Sequence, residues 1–328
     1  AFDYMKSAKH IGKVVVTLPP LLQLENHIQP DATYLITGGL GGLGREMAQF
    51  LVQKGARHIV LTGRNKTEQN PIEDPGVDII YESLDVSDEQ AVKELVTRLT
   101  GSLHPLKGIF HLAGVLDDAT FMEQDWSRFE KVFAPKVYGS YYLHKYAQDL
   151  DFFVLFSSIS SVLGSPGQSN YAAANAFMDA LCDYRKSQGL PALSISWGPW
   201  SEVGMAKDLI ARHARVGMIG INPKEGMRAL EAALIEPQAH VTIANINWKI
   251  FLKQMVTVPS WLKAFAGQKT GKGNLSGQLE AVDPGERLNF IKGYVSNTVK
   301  EILGISPLES LDEKKGFADM GLDSLMTV

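Results

Sequence analysis

Short apolar runs rich in Val, Ile and Phe alternate along the middle of this chain with longer stretches whose apolar residues recur every three or four positions. The runs at 33–37, 58–62, 77–81, 108–111, 152–156, 193–197 and 241–246 predict strands. Several are apolar almost without a break, which is how a parallel strand covered on both faces reads. The stretches at 43–54 and 171–188 predict helices from their spacing. Strand and helix in alternation predict an α/β fold, a doubly wound parallel sheet of Rossmann type.

The two flanks break this rhythm. Residues 1–28 precede the first strand and contain Leu18-Pro19-Pro20, a linker signal. The stretch 264–277 holds Gly, Lys, Gln, Ser and Asn without periodicity and reads as flexible linker. Gly271-Lys272 within it is not a phosphate loop, because the glycine spacing is one residue short and Gly273 follows the lysine. Past Pro284, which a first helical turn tolerates, Leu288, Ile291, Val295, Val299 and Ile302 fall on one helical face, and Gly304 is a stop. The expected organisation is a terminal segment at 1–28, a catalytic domain at 29–258, a linker at 259–283 and a partial helical domain at 284–328.

Composition narrows the function classes. The 328 residues allow about two domains. Hydrophobic residues at 45% and charged residues at 21% describe an ordinary folded protein. With 32 Lys+Arg against 36 Asp+Glu, a net charge of -4 argues against a dedicated nucleic-acid binder. Cys182 stands alone, so neither an internal disulfide nor a paired-thiolate metal site is expected, and a reducing, cytoplasmic setting fits. No apolar run reaches the length of about 18 residues that a membrane helix needs. The start, Ala1-Phe2-Asp3-Tyr4, has neither an initiator Met nor an apolar signal region, and is expected to be interior to a larger protein.

The first predicted strand runs into Thr37-Gly38-Gly39-Leu40-Gly41-Gly42-Leu43-Gly44, and a helix follows. Glycines there let the backbone turn tightly and approach a pyrophosphate at the positive helix end. About 20 residues on, the second strand ends in Gly63-Arg64-Asn65-Lys66. An acidic residue at that point would hold the ribose hydroxyls of NAD; Arg64 instead suits a 2′-phosphate, so NADPH is the expected cofactor.

Ser157, Ser158, Ser160 and Ser161 follow the fifth strand, and Tyr171-Ala172-Ala173-Ala174-Asn175 opens the next helix. A ketone reduction needs a hydride on carbon and a proton on oxygen. A tyrosine with an ordinary pKa near 10 is a poor proton shuttle unless a neighbouring ammonium lowers it. With Ser158 thirteen positions before Tyr171, the pattern resembles the short-chain dehydrogenase/reductase superfamily. Most of that superfamily has lysine where this chain has Asn175. The exchange resembles the ketoreductase domains of modular polyketide synthases and animal-type fatty acid synthases. Those take their lysine from a Pro-Lys-Val-x-Gly segment, here Pro135-Lys136-Val137-Tyr138-Gly139. His111-Leu112-Ala113-Gly114 and Trp197-Gly198-Pro199-Trp200 extend the likeness, which covers 31–258.

The resemblance implies roles. Tyr171 is the general acid, Lys136 tunes it and holds the nicotinamide ribose, Ser158 binds the carbonyl oxygen, and Asn175 orients Lys136. Ala113, Gly114 and Pro199 would border the cofactor. Asp85-Val86 would lie against the adenine, or Asp85 would only cap the next helix. Leu116-Asp117-Asp118 is similar to the fingerprint of B-type ketoreductases, which make a D-configured β-hydroxyl; the A-type marker tryptophan is replaced by Leu163. The segment Met205–Met218 looks like a mobile lid helix, with Leu209, Ile210 and His213 available to the acyl chain. Trp126, Trp197 and Trp248 are expected in the core.

The flanks carry weaker likenesses. Residues 1–17 resemble the tail of an enoylreductase, and Gly321-Leu322-Asp323-Ser324-Leu325 resembles the acyl carrier motif whose serine, here Ser324, bears 4′-phosphopantetheine. The implied function is NADPH-dependent reduction of a β-ketoacyl thioester on an acyl carrier protein. The implied partners are the ketoreductase's structural half and the enoylreductase of the same synthase. A catalytically silent reductase-fold scaffold is the alternative.

Overall fold

The computed structural model describes residues 28–64, 76–204, 209–255, 257–266, 279, 282–283 and 285–303. Its centre is one parallel sheet. Strands β1 (Thr33–Thr37), β2 (His58–Gly63), β3 (Asp78–Ser83), β4 (Leu106–His111), β5 (Phe152–Ser158), β6 (Leu193–Trp197) and β8 (His240–Ile243) lie in the order β3-β2-β1-β4-β5-β6-β8. The order reverses between β1 and β4. At such a switch point the two flanking loops part at the carboxyl ends of the strands and leave a crevice.

The strand sequences explain why both faces are covered. In β1, Tyr34 and Ile36 face one way and meet Met47, Phe50 and Leu51 of helix α1 (Gly42–Gln53). Leu35 faces the other way and joins Val92, Leu95, Val96 and Leu99 of helix α2 (Glu89–Thr100). Asp88 starts α2 by accepting from the backbone N–H groups of Gln90 and Ala91. Helix α3 (Trp126–Phe133) starts on Asp125, which accepts from Arg128 N–H. A π-turn at Ala134–Tyr138 follows and leads into α4 (Gly139–Tyr146). Pro135 has no N–H to give to an α-helical ladder, so the turn widens there. Beyond β5 come a short α5 (Ser160–Leu163) and the long α6 (Ser169–Ser187). After β6 lie α7 (Ile210–Arg215), β7 (Met218–Ile219), α8 (Pro223–Ile235), β9 (Asn245–Ile246) and α9 (Trp248–Phe251).

Four expectations need correction. The 241–246 run is two strands: β8 pairs in parallel with β6, whereas β9 leaves at Ala244 and pairs antiparallel with β7. Trp126 is 63% exposed and not core. It stacks on Phe129, with Phe133 edge-on, and no element covers its outer side among the described residues. Trp248 is half-buried, while Trp197 is buried as expected. The third strand begins at Asp78 and runs to Ser83, later than its apolar run implied, because its register follows β2.

The chain divides into units 1–254 and 255–328. In the second, Ser260–Ala266 forms 3-10 turns where part of the linker was expected, and α10 spans Arg287–Leu303. Leu288, Ile291 and Val295 on α10 are exposed rather than buried. The enoylreductase-like stretch at 1–17, Ser324 and Met205 lie outside the described residues.

Candidate active site

A cleft of about 950 Å³ opens at the carboxyl ends of the strands. One wall is the loop between β1 and α1. Gly38 has φ +69, and a Cβ on it would sit 2.8 Å from Ala113 N. Gly44 is tighter still, since a Cβ would lie 2.4 Å from Gly39 Cα. The loop and the first turn of α1 can approach only with glycine at these positions. The result is a backbone cradle beside a helix N-terminus, suited to phosphate oxygens. The volume and this cradle fit a dinucleotide. Gly38, Leu40, Gly41, Gly42, Leu43, Gly44, Arg64, Asp85, Val86, Ala113, Gly114 and Pro199 line the cleft. Thr37 and Gly39 do not line it; Gly39 N–H donates to Thr62 O and Thr37 O accepts from Leu112 N–H. Asp85 accepts from Ser87 N and Oγ, so it closes a turn; the cap of α2 is Asp88.

The other wall carries side chains. Tyr171 and Asn175 are one turn apart on α6, and Asn175 Nδ2 donates to Tyr171 O at 2.7 Å. That bond leaves Asn175 Oδ1 facing Lys136, whose Nζ donates to it at 3.0 Å and to Phe156 O at 3.2 Å. Nζ also lies 5.1 Å from the centre of the Tyr171 ring. Gly114 makes room for the lysine, since a Cβ there would come within 2.9 Å of Lys136 Cε. Ser158 ends β5 and accepts from Ser160 N at 3.2 Å. Lys136, Ser158 and Tyr171 all line the cleft, while Asn175 is fully buried behind Lys136.

Burial governs the acid–base groups. Lys136 is 2% exposed, and burial pulls its pKa down to about 7. Tyr171 is pushed up to about 12, chiefly by burial, with hydrogen bonding to Asn175 and Ser158 pulling the other way. The expected lowering of the tyrosine by Lys136 is therefore not what this structure shows. Tyr171 stands as a protonated phenol, the form a proton donor needs.

Leu116 lines the cleft, but Asp117 and Asp118 do not. Asp117 is ion-paired with Arg128 and Lys131, and Asp118 accepts from Gln168 Nε2 at 3.0 Å. The two carboxylates brace the loop that presents Leu116. Leu209 and His213 line the opposite edge.

His111 was not singled out as a site residue in the sequence, where it reads as the end of an apolar strand. It is fully buried between Thr37 Oγ1, 2.6 Å from Nδ1, and Pro135 O, 2.9 Å from Nε2. A carbonyl can only accept, so Nε2 carries the proton and Nδ1 accepts from Thr37. Burial first, and then the Lys136 charge, drop its pKa to about 3 and keep it neutral. It ties the cofactor loop to the turn bearing Lys136.

Known proteins similar to this chain comprise a family, two relatives and two solved structures. The family described as "KR domain" matches residues 32–202. The chain is 34% identical over 358 residues to phenolphthiocerol synthesis polyketide synthase type I Pks15/1 of Mycobacterium marinum, covering 100% of this chain and 17% of that protein. It is 32% identical over 367 residues to the compactin diketide synthase mlcB of Penicillium citrinum, covering 100% and 14%. This chain thus spans a small fraction of these relatives. Among solved structures, A-type ketoreductases from a modular polyketide synthase superpose with a TM-score of 0.67 at 35% identity, covering 71% of this chain and 52% of that one. PlmKR1, from the first module of phoslactomycin biosynthesis in Streptomyces sp. HK803, superposes at 0.68 with 33% identity, covering 73% and 58%.

Proposed function

Since this chain belongs to the KR domain family of polyketide synthases, we propose that it reduces the β-keto group of an acyl thioester with NADPH, and that it does so as one domain of a longer synthase. The observation that carries this reading is the buried Lys136–Asn175–Tyr171 arrangement facing a dinucleotide-sized cleft. The glycine cradle would hold the pyrophosphate, and Lys136 the nicotinamide ribose. A reduced nicotinamide supplies the hydride.

The side chains do the rest. Ser158 Oγ hydrogen-bonds the ketone oxygen where negative charge gathers. Tyr171 Oη gives that oxygen its proton, and the Lys136 ammonium stabilises the phenolate left behind. Asn175 fixes the lysine's position. Arg64 supports the choice of NADPH, because it lines the cleft at the end of β2 where an acidic residue would favour NADH. The substrate is read as a thioester on an acyl carrier protein, on Ser324 if this chain's own carrier motif is complete. The structural half of the ketoreductase and an enoylreductase are read as neighbours in the same synthase. Leu116, braced by Asp117 and Asp118, supports a B-type, D-configured product.

The test is NADPH oxidation with a β-ketoacyl-pantetheine substrate and chiral chromatography of the alcohol. Turnover should fall at least about a thousandfold in Tyr171→Phe while NADPH still binds. Near-normal turnover in that variant would overturn the mechanism, and a predominantly L-configured alcohol would overturn the B-type reading.

A further inference from the structure

The Lys136 ammonium has no charged partner within ion-pair distance among the described residues. Its two acceptors, Phe156 O and Asn175 Oδ1, are both neutral. A buried cation held only by neutral groups sheds its proton readily. Yet the proposed chemistry needs it charged, and a carboxylate that acts on it lies on α6, the helix that carries its acceptor Asn175. Tyr171, Asn175 and Asp179 fall every fourth residue along α6 and so share one stripe. Asp179 is itself buried, and the role assigned to the catalytic residues does not use it. Its carboxylate is kept by hydroxyl donors: Ser194 Oγ gives to Oδ1 at 2.5 Å and Ser161 Oγ to Oδ2 at 2.6 Å, with Ser196 Oγ at 3.4 Å. These serines come from β6 and α5, so two elements besides α6 enclose a carboxylate one turn beyond Asn175.

We propose that Asp179 is a positioning residue of the reductase, a buried counter-charge that keeps the Lys136 ammonium protonated beside Tyr171. The proposal rests on the reading of Lys136 and Tyr171 given above. Its sign agrees with the electrostatics, since Asp179 is what holds the lysine's pKa up against burial. The other groups facing the pair are few. Neutral His111 on β4 and Tyr171 itself face Lys136, with Asp118 acting on the tyrosine. His240 on β8 stands 3.8 Å from Asp179 Oδ2 and hydrogen-bonds Ser196 at 2.8 Å. Cys182, one turn on, has its thiol pushed up by burial and by Asp179.

The test uses the full chain and two readouts. The first is the titration of the Lys136 ¹³Cε resonance, identified by its loss in Lys136→Arg. In Asp179→Asn its midpoint should fall by about one unit relative to wild type. In Ser194→Ala, which keeps the carboxylate charge, it should stay close to wild type. The second readout is kcat against pH. The alkaline limb in Asp179→Asn should move to lower pH by the same amount, about tenfold in kcat on the plateau of the shift, with kcat near pH 6 within twofold of wild type. If Asp179→Asn does not fold, Asp179→Ser removes the same charge and is read identically. An unchanged Lys136 midpoint, or an equal shift in Ser194→Ala, would overturn the proposal. A shifted midpoint with an unshifted kcat profile would support Asp179's role and overturn the part given to Lys136 in proton transfer.

Discussion

The two walls of the cleft are built by opposite means. The cofactor-side wall, Gly38 to Gly44, is nearly all backbone, and its shape depends on atoms that are missing: a Cβ at Gly44 would meet Gly39 Cα at 2.4 Å. The opposite wall depends on side-chain atoms that are present and buried. Lys136, Asn175 and Tyr171 are all buried, and Lys136 and Asn175 hydrogen-bond each other from distant parts of the chain. A steric wall fails by clash, and its failure is the same at every pH. An electrostatic wall fails by losing or gaining a proton, so its failures depend on pH.

The largest effect should come from the catalytic wall. Lys136→Ala should lower kcat about a thousandfold, or about 4 kcal/mol in the barrier, and Lys136→Ala/Tyr171→Phe should be little worse than either single variant. Steady-state kinetics of the three proteins would show it; additive losses would separate the two residues.

His111 sharpens the same contrast through stability. Its pKa is about 3 in the folded protein against an ordinary 6.5, so the unfolded state binds the extra proton. Its neutral form therefore stabilises the fold fully above about pH 6.5. That contribution is lost at about 1.4 kcal/mol per pH unit as pH falls through 6.5 toward 3. Denaturant unfolding of His111→Gln should lack this slope, for a difference of about 2 kcal/mol between pH 6.5 and 4.5. Parallel curves for wild type and variant would contradict a buried neutral imidazole.

Gly44→Ala should cost about 2 kcal/mol of stability and weaken NADPH binding, equally at pH 6 and pH 8. Thermal unfolding and fluorescence titration at both pH values check this; a pH-dependent loss would blur the distinction between the walls. The smallest effect belongs to the exposed Arg64 at the cleft's edge. Arg64→Ala should weaken NADPH about tenfold, about 1.4 kcal/mol, and leave NADH nearly unchanged. Equal losses for the two cofactors would remove Arg64 from cofactor choice.

The steric wall was the more legible in sequence. Glycine clustering between a strand run and a helix run is a local signal, because the constraint acts between residues a few positions apart. Six of the seven strand runs mark single strands of the sheet, with small shifts in their ends, since alternation and apolar runs report burial directly. The motif residues Ser158, Tyr171, Asn175 and Lys136 were legible through family resemblance, and the structure brings them together. Trp126 was misjudged because periodicity says which face of a helix is apolar and not whether anything lies against it. The 241–246 run was misjudged because two different partner strands, β6 and β7, divide it at Ala244.

By itself, then, the amino-acid sequence determined the alternating fold, the glycine-rich turn and which side chains meet at the candidate site, all set by neighbours close along the chain or by a motif. The protonation states were decided only in three dimensions. Lys136 takes its acceptors from Phe156, 20 residues away, and Asn175, 39 residues away. His111 is pinned by Thr37, 74 residues away. Asp179 is held by serines of two other elements. A pKa is a difference in solvation and Coulomb energy summed over whatever packs nearby, and that neighbourhood comes into being only when the sheet closes its order around β1 and β4.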